Sequence, residues 1–181
     1  MILKNVPMDW ISAGCPLYIR EALVRVRVKY HTFDGAVRAG ELVVNRDVAR
    51  EIDTLFHLMF VERFPICTIT PAHIYDFSNA ALALCDVTSG FNFYYIYGMG
   101  HVSWHGYGLG VNINPRENPM TLHGHTHPPD AVYCPGKPGV LDAEHFVVRA
   151  FKELGWEWGG DRTEPFNPHI LQKPLNKWLD T

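Results

Sequence analysis

The sequence predicts a single α+β domain, an antiparallel sheet with helices packed on it. Three observations carry this. Leu23 to Tyr30 alternates apolar and basic residues with the period of two that a half-buried strand shows. Two other segments repeat apolar residues at helical spacing. No repeat, linker or change of composition divides the 181 residues, a length that suits one domain with a substantial core.

Residues 1–22 read as an N-terminal segment, 23–175 as the domain and 176–181 as a tail. After the first strand, His31 to Gly35 supplies a turn ending in Asp34-Gly35, and Ala36 to Val44 reads as the returning strand of a hairpin. Asn45 is a suitable cap for a helix from about Arg46 to Arg63, with Val48, Ile52, Leu55, Phe56 and Met59 on its buried face. Phe64-Pro65 ends it. Ile66 to Ala72 is strand-like, Asp76 to Asp86 is a loop or a short alanine-rich helix, and Phe91 to Tyr97 reads as a strand with alternate tyrosines buried. Asn114 to Gly139 is rich in Pro, Gly and His, and irregular stretches of that length usually line sites. Leu141 to Leu154 reads as a second helix, with Phe146, Val147, Ala150, Phe151 and Leu154 on one face and Gly155 as its stop. Trp156 to Trp158 and His169 to Leu171 read as short final strands.

Composition narrows the function classes. A net charge of −3 without a cluster of basic residues leaves no electrostatic footprint for nucleic acid. No apolar run approaches bilayer length, and Met1 to Arg20 lacks the basic start and apolar stretch of a secretory signal. A cytoplasmic protein is expected. Cys15, Cys67, Cys85 and Cys134 form no Cys-x-x-Cys pair and read as free thiols, although a Cys67–Cys85 bridge fits the spacing.

The chemistry concentrates between Ser103 and Pro115. His105 and Asn112 are separated by a glycine-rich turn and a short apolar run, so a loop would carry an imidazole and a strand an oxygen ligand. A hydrolytic zinc site would want a carboxylate at the second place. His123-Gly-His125-Thr-His127 is a second cluster; alternate histidines on an extended segment point to one side and can share a metal, or else cap turns in a solvated loop.

Several segments in order resemble the zinc D-alanyl-D-alanine carboxypeptidase and L-alanyl-D-glutamate peptidase family of peptidoglycan-cutting enzymes. They are Phe33-Asp-Gly with Gly40-Glu-Leu-Val-Val-Asn45, Thr88-Ser-Gly-Phe-Asn92, Ser103-Trp-His105 with Gly108 and Asn112-Ile-Asn-Pro115, and Gly155-Trp-Glu-Trp-Gly-Gly-Asp161. The resemblance implies the hedgehog and DD-peptidase type of fold. It also implies a zinc site of His, Asp and His, an arginine after the Phe-Asn pair, and an acidic base just before the last histidine. Here the matching residues are His105, Asn112 and His169, Tyr94 stands for the arginine, and Phe166 with Asn167 stands near the base.

A carboxamide in place of the carboxylate removes a full charge from the metal's ligands. Losing a general base costs about 10² to 10⁴ in rate, and losing an electrophilic stabiliser about 10² to 10³. The expectation is a cell-wall-peptidase fold with a decayed zinc site, acting as a binding or structural protein. It would hold a cell-wall peptide or a protein partner in the old cleft, with zinc weakly bound or absent. The alternative is an active zinc peptidase on peptides containing D-amino acids, with His105 and His169 as ligands, Asn112 as a weak third, Glu164 as replacement base and Tyr94 as oxyanion donor. The His123, His125 and His127 loop is, separately, a candidate for a relocated metal site. Glu144 is a remoter base. Trp104, Tyr107, Trp156 and Trp158 are expected to pack around the site, and Ser103, Trp104, Tyr107 and Trp158 to contact a ligand. Many such proteins are phage-encoded, so release by lysis or presence on a virion is a further expectation.

Overall fold

A computed structural model describes residues 4–174; the tail at 176–181 lies outside the described residues. Strand β1 (Lys4–Asn5) is followed by a 3-10 turn at Met8–Trp10 and helix α1 (Leu17–Ala22), then by β2 (Leu23–His31) and β3 (Val37–Asn45). These strands form one antiparallel sheet in the order β1-β2-β3. The period-two pattern explains its two faces: Val24, Val26, Val28 and Tyr30 are buried, while Arg27 and Lys29 face water. Arg25, on the same face as Arg27 and Lys29, pairs with Glu41 at 3.2 Å and lies over the Trp10 ring. The segment before residue 23 joins the same core through Ile11, Cys15 and Ile19.

Helix α2 (Ala49–Val61) packs Ile52, Leu55, Phe56 and Met59 against this sheet. It starts three residues later than its sequence signal, because Asn45 has another task. Asn45 is still paired with Leu23 in the sheet, and its side chain donates to the Tyr107 carbonyl (3.1 Å) while accepting from the Asp47 amide (3.1 Å). The helix therefore begins after Val48 without a side-chain cap.

Next come β4 (Thr68–Ile69), a 3-10 turn at Ala72–Tyr75, α3 (Asn79–Leu84) and β5 (Val87–Thr88), with β4 and β5 pairing in parallel. The alanine-rich stretch is thus helical, capped by the Ser78 hydroxyl, which accepts from the Ala81 amide. Residues 91–97 do not form the expected strand. Their amides go to different elements: Phe91 to the Val43 carbonyl, Asn92 to His105 and Ile96 to His101. No ladder can form from such divided bonding, and Tyr95 and Tyr97 are both exposed.

Strand β6 (Gly110–Asn112) follows the signature turn, and the segment expected to be irregular contains a hairpin of β7 (Met120–Leu122) and β8 (His125–His127). Helix α4 (Phe146–Glu153) is shorter than its sequence signal because the Leu141 amide is drawn to Asn118 (2.7 Å) and His145 caps the helix instead. Leu154 falls off the buried face and is exposed. Strands β9 (Glu157–Trp158) and β10 (Ile170–Gln172) complete a second antiparallel sheet in the order β6-β10-β9.

One main hydrophobic core links the first sheet, α2, α4 and the second sheet, so the chain folds as a single small α+β domain. All four cysteines are free, which removes the Cys67–Cys85 bridge. Among the described residues no helix is long and apolar enough to cross a membrane.

Gly108 joins the sheet of β2 and β3 to the site. Its φ is +70°, its carbonyl accepts from the Asn45 amide at 2.8 Å, and an added Cβ would lie 2.6 Å from that nitrogen. Backbone crowding and a left-handed conformation together make any side chain costly there. Gly108→Ala is expected to lower the unfolding free energy by about 2 kcal/mol or more in urea titration; an unchanged midpoint would contradict this coupling.

Candidate functional site

His105 sits in a 3-10 turn, Trp104–Tyr107, that Ser103 caps by accepting the His105 amide at 3.1 Å. The side chain is 3% exposed, and its Nδ1 donates to the Gly90 carbonyl at 2.7 Å. Strand β6 then carries Asn112 beside it, with Asn112 Oδ1 3.0 Å from His105 Nε2. Ile170 at the start of β10 pairs with Asn112, which brings the preceding His169 to the same place. The His169 Nδ1 donates to the Asn118 carbonyl at 2.7 Å. Three residues scattered over the sequence thus line one cleft of about 590 Å³.

The carbonyl groups fix the tautomers. A carbonyl can only accept, so Nδ1 carries the proton in both rings and Nε2 is left as a lone pair in the neutral form. Both rings are held neutral at ordinary pH. Burial lowers the His105 pKa, opposed by its bonds to Gly90 and Asn112. Burial also takes His169 down to about 4, against the Asn118 carbonyl and with help from the nearby His105. In this arrangement His105 Nε2 and Asn112 Oδ1 are two acceptors facing each other. Either a cation lies between them, or the carboxamide turns to present its NH₂ to the ring.

The remaining cleft lining comes from α3, the β7–β8 hairpin and the Pro128-Pro129 segment after it. Tyr94 lines the cleft half-buried, its hydroxyl bonded with Ser103 and Asn79, and burial raises its pKa. Asn79 in turn accepts from Asn92 at 2.7 Å, which ties the start of α3 to the signature turn.

A family model described as D-alanyl-D-alanine carboxypeptidase matches residues 98–170, a span containing His105, Asn112 and His169. Residues 98–170 carry that family's pattern. No curated protein and no solved structure matches the chain.

Other sequence candidates fall in different places. Glu164 is exposed and outside the cleft lining; its carboxylate accepts from the His123 amide at 2.8 Å and lies 3.6 Å from His123 Nδ1. Glu144 does not line the cleft, and the Phe166 ring packs edge-on against Tyr133. The histidine cluster is split: His123 lies in the hairpin turn, His125 is exposed on β8, and His127 alone of the three lines the cleft. Ser103, Tyr107 and Trp158 are buried supports, Trp158 donating to the Pro168 carbonyl at 2.8 Å. Trp104 packs beside Tyr107. None of these four belongs to the cleft lining.

Two residues take roles in the site that the sequence did not assign to them. Asn118 orients His169 through its backbone carbonyl, and its position before Pro119 was the available signal. Asn167 lines the cleft with a buried Oδ1 that has no hydrogen-bond partner. Only the folded structure reveals that.

The zinc centre implied by the family can be tested against these donors. Two imidazoles fit, since each has Nδ1 anchored on a carbonyl and Nε2 bare, the usual arrangement of ligating histidines. The third donor does not fit. Asn112 is uncharged, and no acidic side chain is among the described cleft residues. Among the described residues, no group of three His, Cys, Asp or Glu could hold a metal ion. The donor set is neutral throughout.

A buried neutral histidine also marks the pH dependence of stability. The unfolded ring binds its proton near 6.5 and the folded His169 ring only near 4, so acid favours unfolding. This penalty is absent above the unfolded value and grows as pH falls from 6.5 towards 4, reaching about 3 kcal/mol. Glu117 runs the other way: burial and its bond to Asp86 push its carboxyl up to about 8, so its destabilising effect grows as pH rises. The histidine contribution is therefore read as a difference. His169→Gln is expected to show a shallower acid limb in urea melts than the parent between pH 7 and 4; parallel limbs would contradict the neutral buried ring.

Proposed function

We propose that the chain is a peptide-binding protein on a cell-wall-peptidase fold, with hydrolysis lost or severely impaired. The observation that carries this reading is the absence of any carboxylate from the described cleft residues. Zinc held by two imidazoles and a carboxamide lacks the anionic ligand of hydrolytic centres. A water in the cleft would also find no acidic base, since Glu164 is engaged by the hairpin turn. No hydrolytic step follows from such a site. The residues present can still bind: the cleft is concave, mostly apolar and edged by a few polar groups, as small-ligand sites are. A cell-wall peptide or a peptide segment of a protein partner is the expected occupant.

An active zinc peptidase is the second reading. The 3.0 Å approach of His105 Nε2 to Asn112 Oδ1 favours it, because a cation would satisfy both lone pairs. On that reading His105 and His169 bind zinc, and the Asn112 carbonyl is a weak third ligand.

Metal content and turnover separate the two. Protein purified without chelators is expected to hold well under one zinc per chain, stay folded without it and leave D-Ala-ended and Ala-Glu peptides intact in excess zinc. Asn112→Asp is expected to tighten zinc by more than about 100-fold, since even changes to residues behind the ligands move affinity by 10- to 100-fold. Turnover should remain absent in that variant. One tightly held zinc per parent chain, with hydrolysis, would contradict the binding reading.

A further inference from the structure

We infer that the cleft selects an uncharged ligand, an apolar group flanked by N–H donors, and discriminates against a free terminal carboxylate. An internal stretch of peptide or a primary carboxamide has this chemistry. The inference deepens the binding reading and rests on it.

Three observations converge. Leu82, Leu84, Val87, Met120 and Ile170 make the lining strongly apolar. The described lining residues include no Lys, Arg, Asp or Glu. The polar edge, finally, is dominated by acceptors. His105 and His169 spend their Nδ1 protons on the Gly90 and Asn118 carbonyls; the Asn112 carboxamide, turned to His105 Nε2, satisfies that atom, and His169 Nε2 offers the cleft a lone pair. Asn167 Oδ1 is buried and unpartnered. The Tyr94 hydroxyl is already bonded with Ser103 and Asn79.

A carboxylate entering this cleft would give up its hydration and meet lone pairs, with only neutral carboxamide NH₂ groups to compensate. Buried charge without a partner is strongly disfavoured. A ligand N–H would instead complete Asn167 Oδ1 or the His169 Nε2, removing an unsatisfied acceptor. The cleft volume of about 590 Å³ is in the range that encloses a short peptide segment or a drug-sized molecule. The comparison belongs at pH 8, well above the range in which an ordinary imidazole takes up a proton.

The test uses ¹⁵N-labelled full-length protein and two matched probes, acetyl-Ala-Leu-amide and acetyl-Ala-Leu free acid, titrated at pH 8 while the Asn112 and His169 resonances are followed. The amide is expected to bind at least about tenfold more tightly than the acid, the margin that 1.4 kcal/mol gives. Asn167→Leu should weaken the amide by about three- to tenfold, the worth of one buried hydrogen bond, and leave the acid unchanged. Leu84→Arg places a cation at a rim position that is 53% exposed, where the fold should tolerate it, and should strengthen acid binding. Acid binding equal to or tighter than amide binding at these resonances would overturn the selectivity while leaving the binding reading intact. No shift with either probe at millimolar concentration would overturn both. Cleavage of either probe would overturn the binding reading itself.

Discussion

The carboxamide of Asn118 shares its NH₂ protons among the carbonyls of Ile113, Asn114 and Gly139 and accepts from the Leu141 amide at 2.7 Å. Asn114 does the same on the other side, donating to Pro65 and Gly139 and accepting from Cys67. Both side chains are fully buried. Together they fasten the segment after α2, the loop before α4 and the end of β6 to one another. Irregular backbone buried in a core must find partners for its amides and carbonyls, and this asparagine pair supplies them. The Asn118 carbonyl then positions His169. The site therefore inherits its geometry from a polar network that a single apolar substitution would leave with several unpaired groups.

That inheritance separates the positions of the site residues from their charge. The imidazoles are oriented by backbone carbonyls, which do not depend on the identity of residue 112. The carboxamide of Asn112 is held beside both rings by the register of β6 with β10. Positioning and charge are thus separable. The fold supplies the first, and the described lining of the cleft carries no Lys, Arg, Asp or Glu to supply the second.

Much of this was legible in the sequence where local pattern and tertiary role coincide. The Leu23–Tyr30 alternation and the buried face of α2 follow from periodicity, whereas the pairing of the signature strand with the final one appears only in the fold. The misreadings share a physical cause, the capture of a local signal by a distant partner. Asn45 has the chemistry of a helix cap but is held in the sheet by Gly108 and Tyr107. The aromatic run at 91–97 has strand propensity, yet its amides are claimed by separate elements. Glu164 lies close to His169 in sequence, yet its carboxylate is bound to the hairpin turn. The hairpin itself hides in a stretch whose prolines and glycines read as irregular. Asn167 was legible only as a neighbour of the expected base, because an unpartnered buried oxygen is a property of packing alone.

We propose that two neutral imidazoles protonated at Nδ1 and a carboxamide hold zinc only loosely. Long-range ¹H–¹⁵N spectra of protein labelled in its histidines test it most directly. The account predicts that His105 and His169 both show the Nδ1-protonated neutral tautomer at pH 7, and that one equivalent of zinc leaves their Nε2 signals in place. Saturation of both Nε2 shifts at a one-to-one ratio would contradict it.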